Sequence, residues 1–177
     1  RQNFKRQLEA ATLNPHDADA HFQLGLIYLQ RRNKEDAEKS FRRALEIDPD
    51  EETALYELGR MQREAGNLDE AQKLLARGAK LNDRLSNHEV WRELGAISLA
   101  AGRQAEALTM LEKYVGRREY DPEGLVLFGK ALKQAGRAGE ARSAFEQAIA
   151  AVKSAPAFRR HELKKFEREA EIEIRTV

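Results

Sequence analysis

The chain contains no cysteine. That removes disulfide frameworks and thiolate chemistry but leaves the compartment open, because cytoplasmic and periplasmic proteins both do without cysteine. It also lacks charge of one dominant sign: 31 Lys and Arg stand against 30 Asp and Glu, a formal net charge of +1. The cationic field that non-specific nucleic-acid binding requires is absent, so no nucleic-acid partner is expected. Long hydrophobic runs are missing as well. The longest, around Leu94 to Ala101, is broken by Gly95 and Ser98 and falls short of the roughly 18 residues of a spanning helix, so no direct membrane insertion is expected. Opening on Arg1, the chain is expected to be a piece or processed product of a longer one.

Catalytic and cofactor signals are equally sparse. The four histidines, His16, His21, His88 and His161, form neither an HExxH pattern nor a metal-ligand cluster. There is no G-x-S-x-G elbow, no phosphate-cradling loop and no G-x-G-x-x-G. No enzymatic activity, metal or cofactor is expected. His21 reads as a partly buried packing residue, and the 34% of charged residues suits a thin scaffold with much exposed surface.

What is present is a repeat, and a fixed period of this length decides the fold before any local assignment. Leu24-Gly25, Leu58-Gly59, Leu94-Gly95 and Phe128-Gly129 recur at spacings of 34, 36 and 34 residues. Ala37, Ala71, Ala107 and Ala141 keep the same spacing, and so do Phe41, Leu75, Leu111 and Phe145. Within each unit the apolar residues fall at helical intervals, as in Phe22, Leu26 and Leu29 on one face and Leu24, Ile27 and Tyr28 on another. Breaks at Arg32-Asn33, Gly66-Asn67, Gly102-Arg103 and Gly136-Arg137 end one helix and begin the next. Acidic residues follow at Asp36, Glu70, Glu106 and Glu140, where they are expected to cap free amides and face the positive helix end.

Each unit is thus a helix hairpin. The first helices are predicted over about 18–31, 52–65, 88–101 and 122–135, and the second over about 34–47, 68–81, 104–117 and 138–152. The glycine and alanine columns let helices cross closely, the Phe or Leu column fills the volume beneath, and Ala44, Gly78 and Ala148 leave room for the next hairpin. Tyr114 breaks that small column, which predicts altered packing between the third and fourth hairpins. Between the second and third units two extra residues predict a longer loop over Asn82 to Asn87, ahead of a capping box at Ser86 and Glu89.

The first unit, with His21, Leu24-Gly25, Tyr28, Ala37, Phe41, Ala44 and Pro49, together with Trp91, Leu94 and Gly95 in the third, resembles the tetratricopeptide repeat. The resemblance implies an all-α, right-handed superhelical solenoid of antiparallel hairpins with a C-terminal capping helix. Residues 1–155 would form the solenoid, with a partial repeat at 1–15 and full repeats at about 16–51, 52–85, 88–121 and 122–155. Residues 156–177 would be the capping helix and tail. In that tail, Leu163, Phe166 and Ala170 form a narrow stripe, and Glu171-Ile172-Glu173-Ile174 is expected to be a frayed helix end.

In this family the inner face is lined by the first helix of each hairpin. The resemblance therefore implies a peptide groove made by Phe22, Leu26, Leu29, Tyr56, Arg60, Arg63, Arg92, Leu99, Lys130 and Lys133, apolar at one end and basic at the other. Phe22, Leu26 and Leu29 are expected to lie outside the hairpin core as an exposed patch. A second line of Asp19, Gln23, Thr53, Glu57, Glu64, Glu89, Glu93 and Glu123 makes the face mixed in charge. The carboxylate clamp that grips chaperone tails is not expected, because Phe22, Leu26, Glu57, Glu89 and Glu93 occupy its positions. The implied function is a scaffold binding a protein or peptide segment. The alternative is a structural spacer or self-association module of a longer chain, with or without a membrane anchor, dimerising through its terminal helices.

Overall fold

The computed structural model describes all residues, 1–177. The chain forms ten α-helices: α1 (Gln2–Leu13), α2 (Ala18–Gln30), α3 (Lys34–Ile47), α4 (Glu52–Glu64), α5 (Leu68–Leu81), α6 (Glu89–Ala100), α7 (Gln104–Arg117), α8 (Pro122–Gln134), α9 (Ala138–Ser154) and α10 (Ala157–Ile174). They fall into two compact units, Arg1–Val90 and Trp91–Val177.

In the first unit, α2 pairs with α3 and α4 with α5, while α1 packs on α2. The pairing is close because glycine faces the large column of the partner helix: a Cβ on Gly59 would lie 2.6 Å from Leu75 Cγ, far inside van der Waals contact. Phe22, Ala37, Phe41, Ala44, Ala54 and Leu58 form one buried cluster. Phe41 and Leu75 are fully buried, as expected for residues filling the volume under a helix crossing.

The turns between paired helices require a left-handed residue, and three of the four use glycine: Gly66, Gly102 and Gly136 have φ of 85°, 79° and 77°. Arg32 fills the fourth with φ 60°, although its side chain is exposed. A side chain in this region is strained, whereas glycine is not. Arg32→Gly is therefore expected to stabilise the chain by about 0.5–1 kcal/mol, the relieved strain exceeding the added freedom of the unfolded state. A denaturation midpoint that fails to rise contradicts this.

The acidic column does not cap amides as expected. Asp36 accepts from the Asn33 side chain at 2.7 Å, while Asn33 itself takes the Asp36 amide. Glu106 pairs with Arg103 at 2.7 Å, Glu140 pairs with Arg137, and Glu70 reaches Arg42 at 2.6 Å. With arginine standing at the N-cap of α7 and α9, the carboxylate three residues on meets a guanidinium before it meets the backbone. The Arg137 bond holds the Glu140 carboxyl below its ordinary value.

The longer loop is present, but the capping box is not. Ser86, Asn87 and His88 are all left-handed, with φ of 53°, 51° and 70°, whereas an N-cap needs extended backbone. The Ser86 hydroxyl donates instead to the Glu89 carboxylate at 3.2 Å. This turn drives Leu85 inward, where it is 3% exposed. Its Cδ2 would lie 2.7 Å from a Cβ on Gly78, so Gly78 is the space that Leu85 fills.

In the second unit, Gly95 faces Leu111 and Gly129 faces Phe145 in the same manner. Tyr114, expected to disturb the packing, is accommodated by a loss on the opposing helix. It is 1% exposed, and a Cβ on Gly124 would meet its ring at 2.5 Å. The tail forms α10 as a continuous helix, so Glu171 to Ile174 is its helical end. It packs on α8 and α9, with Ala170 fully buried and Phe166, Ile174 and Val177 against the cluster around Phe145.

Candidate functional site

The predicted groove residues occupy three positions along each first helix, and the structure separates them by burial. The earliest position is buried throughout: Phe22, Tyr56, Arg92 and Val126 are 8%, 4%, 5% and 2% exposed. Phe22 and its neighbours are therefore not the exposed patch expected from the sequence. The Phe22 ring lies 5.8 Å from that of Phe41, and Leu26 and Leu29 are partly buried against the same cluster. A side chain that close to the crossing helix contributes to the core first and to any partner second.

The two later positions remain half-buried: Leu26 and Leu29 on α2, Arg60 and Arg63 on α4, Leu99 on α6, and Lys130 and Lys133 on α8. Ala96, beside Leu99, is buried. On the first unit, α2 thus offers two leucines and α4 two arginines, with Arg60 held 3.3 Å from Glu64. Tyr56 turns its hydroxyl to the Glu89 carboxylate at 3.0 Å.

On the second unit the basic column has an occupant. Lys130 pairs with Glu169, and Lys133 pairs with Glu173 at 3.0 Å and bonds Thr176 at 2.6 Å. Glu169 and Glu173 are one helical turn apart on α10, which sets them over lysines three residues apart on α8. The lysines read from sequence as receptors for a partner are matched by the chain's own tail.

Arg92 is enclosed by carboxylates. Its Nη2 donates to Glu93 Oε1 at 3.0 Å and its Nη1 to Asp121 Oδ2 at 2.8 Å, and its Nε lies 3.5 Å from Glu123 Oε2. Glu93 is fully buried and Glu123 is 7% exposed. Asp121 also caps α8 by accepting the Glu123 amide, and it accepts the Tyr114 hydroxyl. Burial opposes ionisation of Asp121, yet Arg92 and the Tyr114 hydroxyl outweigh it and hold the carboxyl below its usual range. Burial, with the Asp121 charge, pushes the Tyr114 phenol well above its usual value. The arrangement locks α6, α7 and α8 together, and every charged group in it faces another.

Sequence patterning missed this network and the acidic side of α10. One signal was available. Ala20, Ala54, Val90 and Gly124 recur at 34, 36 and 34 residues, so the fourth member of that column shrinks where Tyr114 enlarges the column opposite.

No curated protein matches this chain in sequence. Among solved structures, MamA superposes with a TM-score of 0.69 at 20% identity, over 85% of this chain and 86% of its own. PilF of Pseudomonas aeruginosa does so with a TM-score of 0.69 at 20% identity, over 99% and 85%. YrrB, described as a tetratricopeptide-repeat protein with an unusual peptide-binding site, does so with a TM-score of 0.68 at 22% identity, over 93% and 86%. These likenesses show the fold. The tetratricopeptide-repeat family itself matches over residues 1–154, and on that match, together with the hairpins and glycine crossings described above, the chain belongs to the tetratricopeptide-repeat family.

Proposed function

We propose that the chain is a protein-interaction scaffold that receives a peptide or protein segment on the first-helix face of its first unit. The observation that carries this reading is the pairing of half-buried Leu26 and Leu29 on α2 with Arg60 and Arg63 on α4, an apolar strip beside a basic one. A segment with an apolar anchor followed by acidic residues fits that order, and a peptide-binding relative of the same fold supports the mode. Lys130 and Lys133, tied to α10, are not part of the receiving surface in this state.

The test is a displayed library of random peptides selected on the intact chain. Selected peptides are expected to share the apolar-then-acidic order and to bind at about micromolar strength, roughly 8 kcal/mol. Leu29→Ser is expected to speed dissociation, and Arg60→Glu to slow association and flatten its salt dependence. If the selected peptides bind the double variant as tightly as the unaltered chain, this face is not the receptor. Leu8 and Leu13 on α1, 42% and 85% exposed, favour self-association as a second reading, which a concentration-dependent dimer in sedimentation abolished by Leu13→Glu would support.

A further inference from the structure

We propose that the outward face of α10 is a docking surface for an anionic lipid bilayer, on which the helix lies flat. The helix is polarised across its width. One side carries the apolar stripe and turns Glu169 and Glu173 to the lysines of α8. On the opposite side Arg160, Lys164 and Arg168 follow one another at helical spacing with Lys165 beside them, all exposed, and two carboxylates, the half-buried Glu167 and the exposed Glu171, border their line. Lys164 and Arg168 enter no ion pair. Arg160 Nε donates to the Ala155 carbonyl at 2.8 Å, and Lys165 lies 5.0 Å over the Phe166 ring, so neither cation is neutralised.

Two large apolar side chains frame this cationic line. Phe158 is 82% and Ile172 58% exposed, and fourteen residues of helix place them about 21 Å apart. A polynucleotide would engage the cations and leave these two groups in water. A bilayer engages both, taking the apolar side chains into the acyl boundary while the cations meet headgroup phosphates. Because the whole chain carries only +1, this local field would orient the molecule with α10 downward. No helix is long and apolar enough to cross a membrane, so the contact is peripheral. It requires no unfolding, since the face that holds α10 to α8 and α9 is the opposite one.

The experiment is co-sedimentation of the full chain with vesicles of phosphatidylcholine alone or mixed with phosphatidylserine. Pelleting is expected only with the anionic mixture and should weaken as salt is raised. Lys164→Glu with Arg168→Glu, both at exposed positions, should lower the apparent affinity by roughly tenfold or more while leaving helicity unchanged. Phe158→Trp, compared with the unaltered chain, should show a blue-shifted emission on anionic vesicles. The proposal is overturned by equal pelleting with neutral vesicles, by no pelleting, by indifference to the charge reversal, or by a Phe158→Trp emission that stays water-like. It is also overturned if a duplex DNA, an RNA or an acidic peptide binds this face while the vesicles do not.

Discussion

Tyr114→Ala is expected to destabilise the chain by about 3–5 kcal/mol, the cost of emptying a fully buried aromatic site. Gly124→Ala alone is expected to cost about 1–3 kcal/mol, because its new methyl would sit 2.5 Å from the Tyr114 ring and the ring is enclosed on every side. Combined, the two should cost less than their sum. The methyl of residue 124 enters the space that the ring has vacated, and the small pair reproduces the Ala44 and Ala54 packing seen between the hairpins of the first unit. A double-mutant cycle by chemical denaturation reads the coupling directly. Strict additivity would mean that Tyr114 and Gly124 are not a matched pair.

Arg92→Met should be comparably severe, about 3–5 kcal/mol at neutral pH, because it withdraws the guanidinium that Glu93, Asp121 and Glu123 share in a buried site. The loss should depend on pH in a defined direction. Asp121 has a depressed carboxyl in the folded chain, so its contribution is present above the ordinary carboxylate range and is lost as pH falls through the folded value. In the variant, burial is no longer opposed by Arg92, so acidification relieves the buried charge instead of removing a favourable one. The stability gap between the two proteins should therefore narrow from neutral to acidic pH. A gap that is constant across that range would show that Arg92 acts there through packing alone.

Much of the architecture was legible because repetition multiplies a weak signal. One Leu-Gly pair says little, and three of the four carry leucine where the fourth has phenylalanine, but four in register with an alanine column and a Phe or Leu column leave one arrangement of helices, and among the eight hairpin helices every end except that of α9 falls within one residue or so of its predicted place. The site was less legible for a physical reason. Helical spacing places Phe22, Tyr56 and Arg92 on the first-helix face, but burial depends on what crosses above them. Phe41 covers Phe22, and three carboxylates close over Arg92. Lys130 and Lys133 were read as receptors because a short period cannot show that Glu169 and Glu173, some forty residues on, return to meet them. The left-handed run from Ser86 to His88 was missed for the opposite reason. With no glycine to announce it, nothing in the residue pattern marked that run as left-handed.

The matched sizes at the hairpin boundaries also set how this chain can be recombined. Stacked repeats are often treated as interchangeable parts, and the boundary between Ala44 and Ala54 would accept any neighbour of ordinary small size. The boundary between Tyr114 and Gly124 would not. A hairpin ending in Tyr114 fits only a successor that has given up its side chain at the facing position, and one beginning with Gly124 leaves a void under any other predecessor. Within the first unit, Gly78 and Leu85 are matched in size in the same way. The order of the hairpins at those boundaries is therefore written into their edges, and exchange of a single hairpin is tolerated between Ala44 and Ala54 and penalised between Tyr114 and Gly124.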